Sequence, residues 1–380
     1  MQTELTPKAA AAAQRNPLKL AGWSLHFYRL PYNREVVWSN AIEREGSFAL
    51  LKLTADSGAV GIAEGTLKST WSGVSPRSLA ATLEDLVIPR IAAIDLGDPA
   101  AVTAALKSLV ENRLAKGMVE SACWTLRAAA AGEPLWRTWG GTREVDLTWA
   151  VTRQAPALMA AEAEEYCSRY GFRTLKVKGG QGVDTDMKAL AEIRKAVGDG
   201  VDLYVDTNSA YTPAEAASYV EAIARAGSTV AEDPCPLLPD RAFEALQKEC
   251  ALPILVDSSC TSARDCALFL ERGAQAVSAK PGRIGLTEAR EVAARAHAGG
   301  ARIAIGLYAE SALGTLISLQ QAASIPPEQT VAPAEQTFFL VMREQVLAED
   351  VRIRDGRIAL PESADFDSLI DWARVNRLSN

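Results

Sequence analysis

Residues 18–67 form short runs rich in β-branched and aromatic side chains, interrupted by polar turns. Within them SFALLKLTAD and SGAVGIAEG flank a Ser-Gly step, the signal of a β-hairpin. From residue 76 to 132 the period lengthens. SLAATLEDLVIPRIAAI and LAKGMVESACWTLRAAAAG carry apolar residues at three- and four-residue spacing, which predicts helices. GEPLWRTWGG closes this part with Pro and Gly punctuation. From residue 146 short apolar runs alternate with helical stretches. The runs are LTWAVT, TLKVKG, LYVDTN, TVAEDP, ILVDSS, AVSAKP and IAIGLY, and several of the helices between them end at Gly. Strands without a polar face, alternating with helices, predict a parallel sheet covered on both sides.

Seven such units suit a closed barrel better than an open sheet. TFFLV, at residues 337–341, is the expected eighth strand. VRIRDGRIALP then reads as a short hairpin and FDSLIDWARVN as a final helix. The fold class predicted is α/β, a modified TIM barrel of (β/α)7β form with an α+β capping domain. Its divisions are a mobile tail over 1–16, the cap over 17–142, the barrel over 143–345, and a C-terminal segment, 346–380, that returns to the cap. No low-complexity linker separates the halves, so they are expected to pack tightly.

Composition narrows the chemistry. The 380 residues carry a net charge of −7 and no basic run, so neither nucleic acid nor a membrane surface is an expected partner. No apolar stretch approaches the roughly 18 residues of a membrane span. The N-terminus lacks the apolar core of a signal peptide. The six cysteines form no CxxC pair and read as reduced thiols of a cytoplasmic protein. With only two histidines, His26 and His297, acid–base work falls to Lys, Asp, Glu or Tyr.

The C-terminal ends of barrel strands are where such a fold places its active site. Those ends carry Lys176 and Lys178, then Asp206 with Asn208, then Glu232, Asp257 and Lys280. Each has an ordinary reading. Lys-x-Lys is usually a solvated pair, and an Asp at a strand end usually caps the next helix. The joint series is harder to set aside, because the steps from Lys178 are 28, 26, 25 and 23 residues, each close to one β/α unit. Three carboxylates converging at one mouth repel strongly without a cation. With waters and a substrate carboxylate they suit octahedral Mg²⁺, or Mn²⁺. Flanking lysines, discouraged from protonation by the metal, would serve as general bases.

The Lys-x-Lys, Asp, Glu, Asp, Lys series, with LAKGMVESACWTLRAAAAGEPLWRTWGG before the barrel and LAEDVRIRDGRIALP after it, resembles the muconate lactonizing enzyme subgroup of the enolase superfamily. The resemblance spans nearly the whole chain. It implies Asp206, Glu232 and Asp257 as metal ligands, Lys178 and Lys280 as the acid–base pair on opposite substrate faces, and Lys176 as the group that tunes Lys178 and meets the substrate carboxylate. Asn208 would support a ligand. Sites of this superfamily pair a Lys or His base with Mg²⁺ to stabilise an enediolate. Two loops are expected to close the site: residues 27–38, resembling the family's mobile specificity loop, and TLKSTWSG (66–73), which offers Lys68 and Trp71 to the substrate. Glu310 in GLYAES would contact substrate or cap the next helix. DTNSAY, EDPCP and the Asp257-Ser258-Ser259 run depart from the common motifs, which leaves the substrate open. Cycloisomerisation of an unsaturated dicarboxylate and racemisation or epimerisation of an amino-acid derivative stand near parity. The rivals from other classes are a Schiff-base lysine aldolase, which leaves three carboxylates unexplained, and a non-catalytic barrel. A small carboxylate substrate and a symmetric homo-oligomer complete what the resemblance implies.

Overall fold

A computed structural model describes residues 16–38 and 41–379. The expected tail, 1–16, therefore lies outside the described residues except for its last position. The cap opens with an antiparallel meander of β1 (Leu20–Val37), β2 (Ile42–Ala55) and β3 (Val60–Thr66). The hairpin between β2 and β3 turns at the expected Ser-Gly step, where Gly58 takes φ +85°, a value that suits a residue without Cβ. Residues 27–37, expected as a loop, belong to β1 instead. Phe27 to Pro31 pair with β2, and pairing resumes at Val36 after an irregularity. Period-two burial explains the difference: Tyr28, Leu30, Tyr32 and Val36 alternate into the core.

Helices follow where the three-to-four spacing placed them. The longest, Arg113–Ala131, buries Leu114, Met118, Val119, Ala122 and Leu126. It lies against β3 and against the barrel helix Pro281–Ala298. The contact between these helices is close enough to exclude side chains. A Cβ on Gly285 would stand 2.6 Å from the Gly117 Cα, and Gly285 itself has φ +82°. Ser121 Oγ accepts the Leu286 N–H and Trp124 Nε1 donates to Thr287 Oγ1, so cap residues satisfy the start of a barrel helix.

The barrel sheet runs in the order β11-β10-β9-β8-β7-β6-β5. Its strands are β5 (Trp149–Val151), β6 (Thr174–Lys178), β7 (Asp202–Asp206), β8 (Ser228–Glu232), β9 (Ile254–Val256), β10 (Ala276–Ala279) and β11 (Arg302–Ile305), all parallel. Side-chain alternation sends one set toward the surrounding helices and the other into the barrel. Tyr204, Val230, Leu255, Ala276 and Ala304 form a separate apolar cluster that fills the interior. Two residues further along the same strands, hence on the same face and nearer the mouth, stand Asp206, Glu232 and Asp257.

The eighth place is not taken by residues 337–341. Phe338–Val341 is a 3₁₀ turn. The barrel closes through the preceding segment, which bridges Ile303 to Thr330 on one side and Leu147 to Ala334 on the other. Pro333 sits in that segment and has no N–H to donate, so a continuous ladder cannot form. Beyond it, β12 (Ile353–Arg354) and β13 (Arg357–Ala359) make the expected hairpin, docked on β4 (Glu144–Asp146). The final helix, Trp372–Leu378, reaches β1, where Trp372 meets the His26 ring, and Asp367 just before it pairs with Lys52 of β2.

Candidate active site

Lys176 is 1 % exposed and stands at the centre of the mouth. Its Nζ lies 2.7 Å from Glu232 Oε1, 3.1 Å from Asp206 Oδ2 and 3.0 Å from Glu335 Oε1. Burial alone would lower its pKa, but Glu232, Glu335 and Asp206 outweigh that and raise it well above an ordinary lysine. These three carboxylates therefore favour its ammonium form. A charge this deep is tolerated because its partners are equally deep. Lys178, one step of alternation nearer solvent, reaches Asp206 Oδ2 at 2.5 Å. Across the mouth, Lys280 Nζ reaches Asp257 Oδ2 at 2.5 Å.

The three carboxylates differ in surroundings. Burial works against the Asp206 charge, yet Lys178 and Lys176 hold its pKa well below the ordinary value. Asn208, with its own φ at +50°, donates both backbone N–H and Nδ2 to Asp206. Asp257 is similarly held at about 2, since Lys280 and Arg283 outweigh its burial. Asp233 accepts the N–H groups of Asp257 and Ser258 and so fixes the turn that presents Asp257. Glu232 is raised well above an ordinary glutamate, first by burial and then by Asp206.

Among the described residues no group of three or more His, Cys, Asp or Glu side chains is already drawn together to hold an ion. The Lys176 amine lies between Asp206 and Glu232. Two carboxylate oxygens, Glu232 Oε2 and Asp257 Oδ1, are nevertheless buried without any hydrogen-bond partner. Buried polar oxygens left without a hydrogen bond are costly. Three acidic side chains on neighbouring strands, two of them with a vacant oxygen, fit an oxygen-seeking divalent cation.

Above these residues lies a cavity of about 350 Å³. Lys176, Lys178, Asn208, Asp257 and Lys280 line its floor. Trp38, Trp71, Tyr308 and Phe338 line its wall and touch one another, with Trp71 4.9 Å from Trp38 and 5.2 Å from Tyr308 between ring centroids. Larger clefts of about 610 and 1260 Å³ lie at the other end of the barrel, where Arg143, Arg173, Glu144, Asp146 and Asp355 mix both signs of charge. We place the site in the smaller cavity because it gathers the buried, mutually perturbed groups.

Of the side chains anticipated at the site, Trp71 and Asn208 face this cavity, whereas Lys68 and Glu310 do not. Lys68 turns away to Glu43, 2.6 Å off. Glu310 is buried beside Gly282, accepts the Tyr308 N–H, and is raised to about 7, mainly by burial. Nor does it cap the next helix, Ala312–Ala322, since the Ser311 side chain accepts the Leu313 N–H there. Three further residues join the site. Glu335 holds Lys176 and accepts from the Tyr204 hydroxyl at 2.8 Å. Arg153 donates to the carbonyls of Gly179 and Thr207 and to Asn208. Arg283 donates to the carbonyls of Asp257 and Cys260. An irregular closing segment gives Glu335 no periodic signal. Arg283, three residues past Lys280, was within reach of the same strand-end argument.

Residues 158–364 match a family model described as "Enolase C-terminal domain-like", and residues 30–140 match "Mandelate racemase / muconate lactonizing enzyme, N-terminal domain". The chain is 27 % identical over 340 residues to muconate cycloisomerase 1-2 of Acinetobacter lwoffii, covering 87 % of this chain and 88 % of that protein. It is 30 % identical over 319 residues to L-Ala-D/L-Glu epimerase of Bacillus subtilis (strain 168), covering 82 % and 86 %. A muconate lactonizing enzyme from Pseudomonas fluorescens, solved with muconolactone, superposes with a TM-score of 0.88 at 22 % identity, over 96 % of this chain and 100 % of that one. That last likeness bears on the fold alone.

Proposed function

Because the chain belongs to the enolase superfamily, in its muconate lactonizing enzyme subgroup, and is an isomerase, we propose that it moves a proton at the carbon next to a substrate carboxylate, with Lys178 and Lys280 as opposed acid–base groups. The observation that carries this reading is their placement. Lys178 ends β6 and Lys280 follows β10, four places along the sheet order, and both line one cavity. In a ring with eight places, positions four apart face each other. One lysine amine takes the proton as the C–H bond breaks, and the other, as ammonium, delivers a proton to the opposite face. Lys176, whose carboxylate partners favour the ammonium form, attracts the substrate carboxylate to the floor between them. Asn208 and Asp233 keep Asp206 and Asp257 aimed, and the aromatic wall keeps bulk water from the reacting carbon.

Asp206, Glu232 and Asp257 would hold Mg²⁺, or Mn²⁺, which when bound supplies positive charge where the substrate carboxylate gains negative charge. Two opposed bases are used in full by racemisation or epimerisation of an amino-acid derivative, the reading we favour. Cycloisomerisation of an unsaturated dicarboxylate needs one of them, and the likeness to a muconate cycloisomerase supports it as the second reading.

The test is proton NMR in D₂O with Mg²⁺, following loss of the α-proton signal from N-acyl amino acids, dipeptides, proline derivatives and muconolactone. We expect one class to exchange and EDTA to stop it. Metal binding demonstrated separately, with no exchange from any compound, would sink the reading.

A further inference from the structure

The floor and the wall of the cavity differ in charge. Every cation in its lining comes from the barrel: Arg153, Lys176, Lys178, Lys280 and Arg283. Each already has a carboxylate or carbonyl partner. The opposite wall is built from Val37, Trp38, Trp71, Tyr308, Phe338 and Val341, which carry no charge. One cation stands directly behind that wall. Lys68 Nζ lies 3.7 Å from the Trp38 ring centroid and 4.2 Å from that of Trp71. Its side chain is 4 % exposed, so it is nearly stripped of water.

Left alone, a lysine between two indoles would project positive charge through the wall, and a second carboxylate on a substrate would find it. Glu43 prevents this. Its Oε2 lies 2.6 Å from Lys68 Nζ and also accepts the Trp38 Nε1 hydrogen at 2.8 Å. One carboxylate therefore cancels the lysine and pins the indole that faces the cavity. Burial lowers Lys68 to about 8, with Glu43 working the other way to keep it charged.

We propose that Glu43 is a specificity-determining residue: by neutralising Lys68 it keeps the cap side of the cavity free of net positive charge, so the site selects a monocarboxylate with an apolar or aromatic far end and rejects a second carboxylate. The proposal rests on the carboxylate-binding role of the floor and on the racemase or epimerase reading argued above; an unsaturated dicarboxylate does not fit it. Neither Glu43 nor Lys68 reaches the reacting carbon, so both act on selection and not on the chemical step.

The experiment is calorimetric titration of the full chain, with Mg²⁺ present, by N-acetyl-L-methionine and N-acetyl-L-glutamate, probes of similar length that differ in the far charge. The native protein should bind the methionine derivative more tightly. Glu43→Gln keeps an oxygen for Lys68 and Trp38 but removes the charge, so the fold is preserved. It should tighten the glutamate derivative by roughly two- to tenfold, the worth of one uncancelled cation acting through the indole wall, and leave the methionine derivative nearly unchanged. Adding Lys68→Met should abolish that gain. Equal affinity of the native protein for both probes, or an unaltered preference in Glu43→Gln, overturns the role of Glu43 while leaving the proton-transfer reading intact. No binding of either probe overturns both, because the floor then fails to hold a carboxylate.

Discussion

Replacing Gly285 by Ala should loosen the joint between cap and barrel and disturb Lys280, which lies five residues upstream at the N-cap of the helical turn that ends at the Gly285 kink. Two costs add. Gly285 has φ 82° and ψ 165°, a region in which an L-residue costs about 1–3 kcal/mol. The new Cβ would also stand 2.6 Å from the Gly117 Cα and 2.9 Å from its carbonyl oxygen. Those atoms are backbone, so the helices must separate, and overpacking of this kind costs roughly 1–3 kcal/mol. The total, about 2–6 kcal/mol, is a large part of the roughly 5–15 kcal/mol that holds a typical protein folded. Gly117→Ala is the control. It makes a similar clash, 2.8 Å to the Gly285 nitrogen, but recovers up to about 1 kcal/mol of helix preference, so its net cost should be smaller. Urea unfolding followed by circular dichroism measures both, and α-proton exchange on the folded protein reports Lys280. If Gly285→Ala unfolds within about 0.5 kcal/mol of the native chain, the scatter of a neutral surface change, the two backbones are not in contact and the argument fails.

Lys178→Ala and Lys280→Ala should each lower isomerisation by about 10²–10⁴-fold, the usual contribution of a general acid or base, with circular dichroism unchanged; near-native rates in either variant would remove the two-base scheme. Glu232→Gln should weaken Mn²⁺ binding, followed by electron paramagnetic resonance, by on the order of tenfold or more, since one anionic ligand is lost; unchanged affinity would take Glu232 out of the ligand set. Glu310 is raised from 4.5 to about 7, chiefly by burial. An acid raised in the folded state stays protonated there while the unfolded chain has released its proton, so stability falls as pH rises from about 4.5 to 7 and then levels off, by on the order of 3 kcal/mol. Glu310→Gln, which keeps an acceptor for the Tyr308 N–H, should flatten that fall in urea midpoints taken between pH 5 and 8; an identical slope would place the titration elsewhere.

Much of the barrel was legible because backbone geometry is local. Side chains alternate along a strand, so Lys176 and Lys178 had to share a face, and the step of 23 to 28 residues had to carry each charged strand end round to the next. The meander, the cap helices and the closing hairpin were legible for the same reason. What chain-local pattern cannot express is the partner of a side chain. Lys176 meets Glu335 across 159 residues, from a segment whose Pro333 erases any strand pattern, so barrel closure was expected a few residues too late. Residues 27–38 were expected as a loop from the family resemblance, yet Phe27–Pro31 and Val36–Val37 pair with β2. Lys68 and Glu310 stood in the right loops, but the direction of a side chain depends on what desolvates it and what neutralises it. Glu43 drew Lys68 behind the wall, and the packing around Gly282 buried Glu310. The sequence by itself determined which charges ring the mouth, because strand geometry is periodic. Only the tertiary structure decided which of them face the cavity and which are spent on each other, because burial and pairing depend on residues far apart along the chain.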